Sequence, residues 1–120
     1  MFASSSNIFS EANNLPVKEA HPDTPVSVWS AHKALAENYL YIYKNVHGIK
    51  SISLRLSNVY GPSSNKLMQR MALNRMIMSS VHKSKLCLYN NLNCVRDWVY
   101  IDDVVNCIPL LRLYSACHPE

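Results

Sequence analysis

Glycine is the scarcest informative residue in this 120-residue chain: only Gly48 and Gly61 are present, where average usage of about 7% predicts around eight. Loops that cradle phosphates need glycine so that the backbone can approach the ligand closely. Neither a GxGxxG nor a GxxxxGK[ST] pattern occurs, so the chain carries no nucleotide-binding loop of its own. The four cysteines, Cys87, Cys94, Cys107 and Cys117, form no CxxC pair and have no histidine cluster at metal-ligand spacing. That pattern favours reduced thiols in a cytosolic protein over a zinc site or a disulfide frame, and no metal site is expected. No apolar run approaches the roughly 20 residues of a membrane span, and MFASSSNIFS lacks the basic start and apolar centre of a signal peptide. A soluble, cytoplasmic protein with no membrane partner is therefore the default.

Charge is present but not concentrated. Twelve Lys and Arg against eight Asp and Glu give a net charge of +4, which suits an anionic ligand such as a diphosphate. The basic residues are scattered and form no stripe, so nucleic acid is not the expected partner. With 48% hydrophobic residues, the length allows one domain or part of one.

Local patterns divide the chain into alternating elements. Met1 to Ser5 reads as the end of a strand, followed by a polar loop with Pro16, Pro22 and Pro25. Thr24 and Pro25 offer a helix start, a capping hydroxyl followed by proline in the first turn. Val28, Ala31, Leu35, Tyr39, Ile42 and Val46 then recur at three and four, predicting a helix to about His47 that Gly48 ends. The stretch KSISLRLSNVYGP predicts one strand running into a Gly61-Pro62 turn. A second helix is expected over roughly 66–82, with Met68, Met71, Met76 and Met78 as core filler. KLCLY and VRDWVYI read as short strands around an Asn-rich loop, and DDVVNCIPLLRLY as a last helix that Pro109 should bend. Such alternation predicts an α/β layered fold with a largely parallel sheet. The first strand and last helix both look cut, as in a piece of a larger domain.

Four stretches then fall in one order and spacing: FASSSNIFSE, TPVSVWSAHKALAE, LRLSNVYGP and LYNNLNCVRDWVYIDDVV. Through them the chain resembles the extended short-chain dehydrogenase/reductases, specifically the NAD-dependent nucleotide-sugar epimerases and dehydratases of the UDP-glucose 4-epimerase type. The motifs compared are SSS…VYG, P-x-S-x-Y-x-x-S-K-x-x-x-E, L-R-x-x-N-x-Y-G-P and IYGDGxxxRDFVYVDDVV. The resemblance implies a Rossmann-like, doubly wound parallel sheet without its glycine-rich N-terminal half. Residues 1–60 would be the end of the Rossmann-like part, and 61–120 a mixed Rossmann and substrate-binding part, all within one partial domain.

What the resemblance implies can be taken residue by residue. Ser5, flanked by Ser4 and Ser6, falls where the family's serine or threonine bonds the sugar hydroxyl being oxidised. A solvated turn is the alternative for a serine triplet. Lys33 matches the lysine that binds the nicotinamide ribose and lowers the pKa of a tyrosine four residues earlier. Spacing i, i+4 puts the two on one helical face. Trp29 stands at that tyrosine position. Indole offers one N–H donor and no group that titrates usefully, so it cannot take the proton of a sugar hydroxyl. Ser57 matches a residue approaching the nicotinamide, Asn58 one approaching the sugar-nucleotide diphosphate, Tyr89 an aromatic beside the base, and Arg96 the arginine clamping the phosphates. Asp97 could orient Arg96 and Asp103 could cap the last helix. Ser10, Asn90 and Leu92 replace family glycines.

The implied cofactor is NAD and the implied ligand a nucleotide-sugar such as a UDP-sugar. A homodimer through the helix carrying Trp29 and Lys33 is open, since Tyr39, Tyr41 and Tyr43 suit either an interface or a core. Two functions follow from this reading: an epimerase or dehydratase piece impaired by Trp29, or a non-catalytic pseudo-enzyme or relic that only binds a sugar nucleotide or a partner.

Overall fold

The computed structural model describes residues 1–9, 16–62, 71–87 and 95–117, the side chains of 114–117 excepted. Two compact units divide the chain, one formed mainly by Met1–Ser57 and the other by Asn58–Leu113. Each contains a pair of parallel strands and helix, the α/β pattern with parallel pairing that the alternation predicts.

In the first unit, β1 (Phe2–Ser5) pairs in parallel with β2 (Ser53–Leu56), Phe2 opposite Ser53 and Ser5 opposite Leu56. A 3-10 turn, Ser6–Phe9, follows β1 and buries Ile8 and Phe9, the small apolar core of this unit. Helix α1 (Val28–His47) returns the chain to β2. Its start is three residues later than Thr24 and Pro25 predict, because two better arrangements compete for those residues. The Thr24 hydroxyl donates to Phe9 O at 3.0 Å and Thr24 N–H to Ile8 O at 2.8 Å, which fastens the loop to the turn after β1. Ser27 is the cap instead: Ser30 N–H donates to its Oγ and Ser27 N–H to Ser30 Oγ, both at 3.1 Å. This reciprocal box satisfies two orphan N–H groups at once, and Ser30 is only 1% exposed. At the other end Gly48 adopts a left-handed φ of 66° and donates to Lys44 O at 2.9 Å, the expected stop.

The apolar stripe that the periodicity traces along α1 is not buried. Val28, Leu35, Tyr39, Ile42 and Val46 are all exposed, and Ser30 is the buried residue of this helix.

In the second unit, β3 (Asn58–Tyr60) pairs in parallel with β4 (Trp98–Tyr100), Val59 opposite Val99. The single strand expected from KSISLRLSNVYGP is thus two strands with different partners, broken at Ser57. Continuous alternation reports a pleated surface and is blind to a change of partner. Helix α2 (Ala72–Val81) and helix α3 (Ile101–Cys117), with Pro109 inside it, complete the unit. Residues 63–70, and Met68 with them, lie outside the described residues. Met71 and Met78 are exposed and Met76 half-buried, so the methionines described are not the core filler expected. Residues 85–87 of KLCLY form no strand.

Close packing in this unit centres on Gly61, at φ 147°. A side chain there would collide with Ile101 Cγ2 and stand 3.2 Å from Tyr100 Cε2. Tyr60 meets Tyr100 at 5.3 Å and Trp98 edge-on at 6.5 Å between ring centres, separations in the range favoured by aromatic pairs.

Candidate active site

Ser5 ends β1, and the first turns of α1 set Lys33 and Trp29 alongside that strand. Ser5 is 6% exposed, and its Oγ accepts from Asn7 N–H at 3.2 Å. It does sit at a turn, yet a buried one, which disposes of the solvated alternative. The accepted bond leaves the Ser5 O–H free to donate, as a group binding a substrate oxygen must. Ser4 Oγ is also buried and makes no hydrogen bond of good geometry.

Lys33 reaches β1 from one and a half turns into α1. Its Nζ donates to Ala3 O at 2.7 Å and lies 4.9 Å from the Phe2 ring centre and 5.7 Å from that of Trp29. Cation–π attraction to the two rings adds to the hydrogen bond in fixing the ammonium. Trp29 is 51% exposed, so its ring flanks Lys33 at the surface and does not fill a closed pocket. One of the three N–H donors of Lys33 is used on Ala3 O; two remain that could meet ribose hydroxyls.

Ser57 follows β2 and is half-buried. In the second unit, Asn58 opens β3 with both of its nitrogens on one acceptor: its N–H donates to Asp97 O at 3.2 Å and its Nδ2 at 2.9 Å. The Asn58 side-chain oxygen and the second N–H of its Nδ2 are left for a ligand. This clamp fixes the 95–97 segment, on which Arg96 is exposed. Asp97 does not hold Arg96 by charge, since both ion pairs among the described residues belong to Arg55. Nor does Asp103 cap α3, which begins at Ile101. Asp103 lies in the first turn, where its charge complements the helix dipole. Ser10, Tyr89, Asn90 and Leu92 lie outside the described residues. Among the described residues no group of three or more His, Cys, Asp or Glu could hold a metal ion, and no helix is long and apolar enough to cross a membrane.

A charged clamp behind Ser4 received no role from the sequence. Arg55 on β2 donates to Glu37 of α1 with Nη2 at 2.8 Å and Nε at 3.2 and 3.3 Å. Its Nη2 also reaches Asp23 at 3.1 Å, and its guanidinium lies 4.7 Å from the Phe9 ring centre. Strand, helix, loop and turn are thereby tied to one planar cation whose fork suits a carboxylate. Burial alone would raise the Glu37 pKa, but the Arg55 hydrogen bonds, the nearby Ser4 hydroxyl and the Arg55 charge outweigh it and hold the carboxyl below its usual 4.5. The Glu37 hydrogen bonds in turn raise Arg55 against the opposing effect of burial, helped by the charges of Glu37 and Asp23. The signal was present in the motifs, as the R of LRLSN and the E four residues after Lys33.

Residues 1–114 match the family model described as "NAD dependent epimerase/dehydratase family". The chain belongs to that family. A putative UDP-glucose 4-epimerase of Methanocaldococcus jannaschii is 33% identical over 105 residues, covering 87% of this chain and 34% of the relative. The UDP-glucose 4-epimerase of Thermotoga maritima, solved with UDP-glucose, superposes with a TM-score of 0.84 at 27% identity, covering 92% of this chain and 36% of that one. The Thermus thermophilus UDP-glucose 4-epimerase, solved with NAD, gives 0.77 at 31% identity, covering 91% and 37%. This epimerase-family chain thus spans about a third of the length of the relatives it matches, and its fold is part of their Rossmann-like architecture.

Proposed function

We propose that this chain is the serine–lysine side of an NAD-dependent nucleotide-sugar epimerase or dehydratase site, and that it binds a sugar nucleotide without turning it over. The observation that carries this reading is the placement of Trp29 and Lys33 on one face of α1, with Lys33 Nζ 2.7 Å from Ala3 O on the strand that ends at Ser5. In this reading Ser5 donates to the sugar hydroxyl. Lys33 and Ser57 meet the nicotinamide ribose end of NAD, which when bound supplies a hydride acceptor and donor. Asn58 and Arg96 hold the diphosphate, and Tyr89 lies against the base. The residues fit the ribose end of the cofactor only, since no glycine-rich stretch exists here to cradle its phosphates.

Trp29 decides the catalytic outcome. A proton must leave the sugar hydroxyl as hydride leaves its carbon, and indole has no site to receive it. Loss of such an acid/base costs about 10² to 10⁴-fold. The exposed stripe of α1 supports pairing with a second copy, and reduced thiols support a cytoplasmic setting. A non-catalytic relic that keeps only a partner surface draws on that same stripe.

Mixing the purified chain with NAD and UDP-glucose tests the proposal. Calorimetry should register UDP-glucose binding while absorbance near the reduced-nicotinamide band stays flat. Turnover by the unaltered chain would overturn the role given to Trp29. Absence of sugar-nucleotide binding would overturn the site and favour the relic.

A further inference from the structure

A hydroxyl that must meet a ligand has to be held by its surroundings, because its own torsion is otherwise free to turn. Ser5 is held through its backbone. Its Oγ accepts from Asn7 N–H at 3.2 Å, so the hydroxyl keeps its direction only while the 3-10 turn Ser6–Phe9 keeps its shape. Arg55 grips the chain on both sides of that bond. Before it, Ser4 stands opposite Arg55 in the β1–β2 register, and alternation along the strand puts Ser4 on the Arg55 face and Ser5 on the other. The Glu37 carboxylate that Arg55 Nη2 meets at 2.8 Å lies near the buried Ser4 hydroxyl. After it, the guanidinium lies 4.7 Å from the ring centre of Phe9, the residue that ends the turn. Nη2 also reaches Asp23 at 3.1 Å, and Asp23 precedes Thr24, whose N–H and hydroxyl donate to Ile8 O and Phe9 O. His21 of the same loop packs edge-on against Phe9 at 5.7 Å.

We propose that Arg55 is a positioning residue for the Ser5 hydroxyl, fixing the strand before it and the turn after it so that its O–H stays aimed at a sugar oxygen. This rests on the sugar-nucleotide reading above and deepens it. Arg55 acts through the backbone of residues 4–9, not by touching the hydroxyl. Only a planar fork suits the task. Carboxylates from two different elements, Glu37 on α1 and Asp23 on the loop, converge on Nη2, while the flat face of the cation is left for the Phe9 ring. An ammonium at the same place has no such face and no paired donors. Ile8, fully buried within the turn, leaves the segment little room to rearrange, so a loosened end is felt at Asn7 and Ser5.

Amide exchange of the full 120-residue chain, without NAD or sugar nucleotide, reads that position directly. The reporter is Asn7 N–H, whose acceptor is Ser5 Oγ. Gly48 N–H, bonded to Lys44 O at the far end of α1, reports general loosening of the same unit. Arg55→Lys, which keeps the charge and loses the fork, should speed Asn7 exchange about ten-fold relative to Gly48. Asp23→Asn, which weakens the same grip at an exposed position and threatens the fold less, should give about three-fold. Equal acceleration at Asn7 and Gly48 would reduce Arg55 to a general stabiliser and overturn the proposal, as would Asn7 exchange that neither variant changes. Calorimetry then ties position to function. UDP-glucose should bind Arg55→Lys about ten-fold more weakly than the unaltered chain, while UDP, which lacks the sugar that Ser5 would meet, binds both alike. Equal losses for the two ligands would overturn the link to Ser5. An unaltered chain that binds neither ligand fails the site reading itself, and the exchange result, taken without ligand, still decides whether Arg55 holds the hydroxyl.

Discussion

In Met1–Ser57 the strand pair is held beneath α1 by charges and hydroxyls. Arg55 reaches Glu37 and Asp23, Lys33 reaches Ala3 O, Thr24 reaches Phe9 O, and Ser27 and Ser30 lock the helix start. In Asn58–Leu113 the strand pair is held by rings and a close backbone approach, with Tyr60 against Tyr100 and Trp98, and Gly61 under Ile101. Charged contacts are directional and tolerate partial exposure, so they can order a segment with almost no apolar core, at the cost of sensitivity to pH. Ring packing and a missing Cβ are indifferent to pH and intolerant of volume. The two units should therefore fail to different insults. Each carries one tryptophan, Trp29 in the first and Trp98 in the second, so Trp98→Phe and Trp29→Phe backgrounds let fluorescence follow each unit alone.

The largest effect is expected at Gly61. Gly61→Ala forces a methyl into Ile101 and Tyr100 at a φ of 147° that side chains rarely adopt. The second unit should lose about 2–4 kcal/mol, measured as the denaturant midpoint of Trp98 fluorescence. The first unit's Trp29 transition should stay in place. Equal shifts in both would mean that the units unfold together and that the contrast between them is not energetic. Next comes Arg55→Met, which leaves a largely buried Glu37 carboxylate without its donor. About 2 kcal/mol should be lost from the Trp29 transition, with little change at Trp98. No shift at Trp29 would show the clamp to be ornamental and Ile8 and Phe9 sufficient.

What the sequence made legible divides along the same line. Signals that act within one element were read correctly: the Phe2–Ser5 strand, the left-handed stop at Gly48 and the parallel α/β pattern. Signals that depend on a partner elsewhere were not. Thr24 looked like a cap because threonine before proline is a good one, but Phe9 O competes for its hydroxyl across fifteen residues. The break at Ser57 is a change of partner with no change of pattern. The period of α1 located its apolar stripe correctly and said nothing of whether anything covers it. For the site, motif spacing led to Ser5, Lys33 and Trp29; the structure sets Lys33 beside Trp29 and against Ala3 O, on the strand that Ser5 ends. Glu37 and Arg55 were visible as letters, and their pairing became visible only when α1 lay across β2.

The smallest expected effect is the most diagnostic of the polar unit. Because Glu37 is held below 4.5 in the folded chain, the folded state binds fewer protons than the unfolded one as acid is added. Its contribution to stability is complete above about pH 5, declines as pH falls below 4.5, and is gone once pH passes the lower folded value. Arg55, raised further above its ordinary value by Glu37, stays charged throughout and adds no slope of its own. The Trp29 transition should weaken between pH 5 and pH 3 while the Trp98 transition changes less. Glu37→Gln retains an oxygen for Arg55 and removes the titration, so it should start less stable at pH 7 and flatten that slope. A Glu37→Gln chain that kept the full acid slope would assign it to other carboxylates and leave the Arg55 clamp without the pH sensitivity that sets it apart from the ring-packed unit.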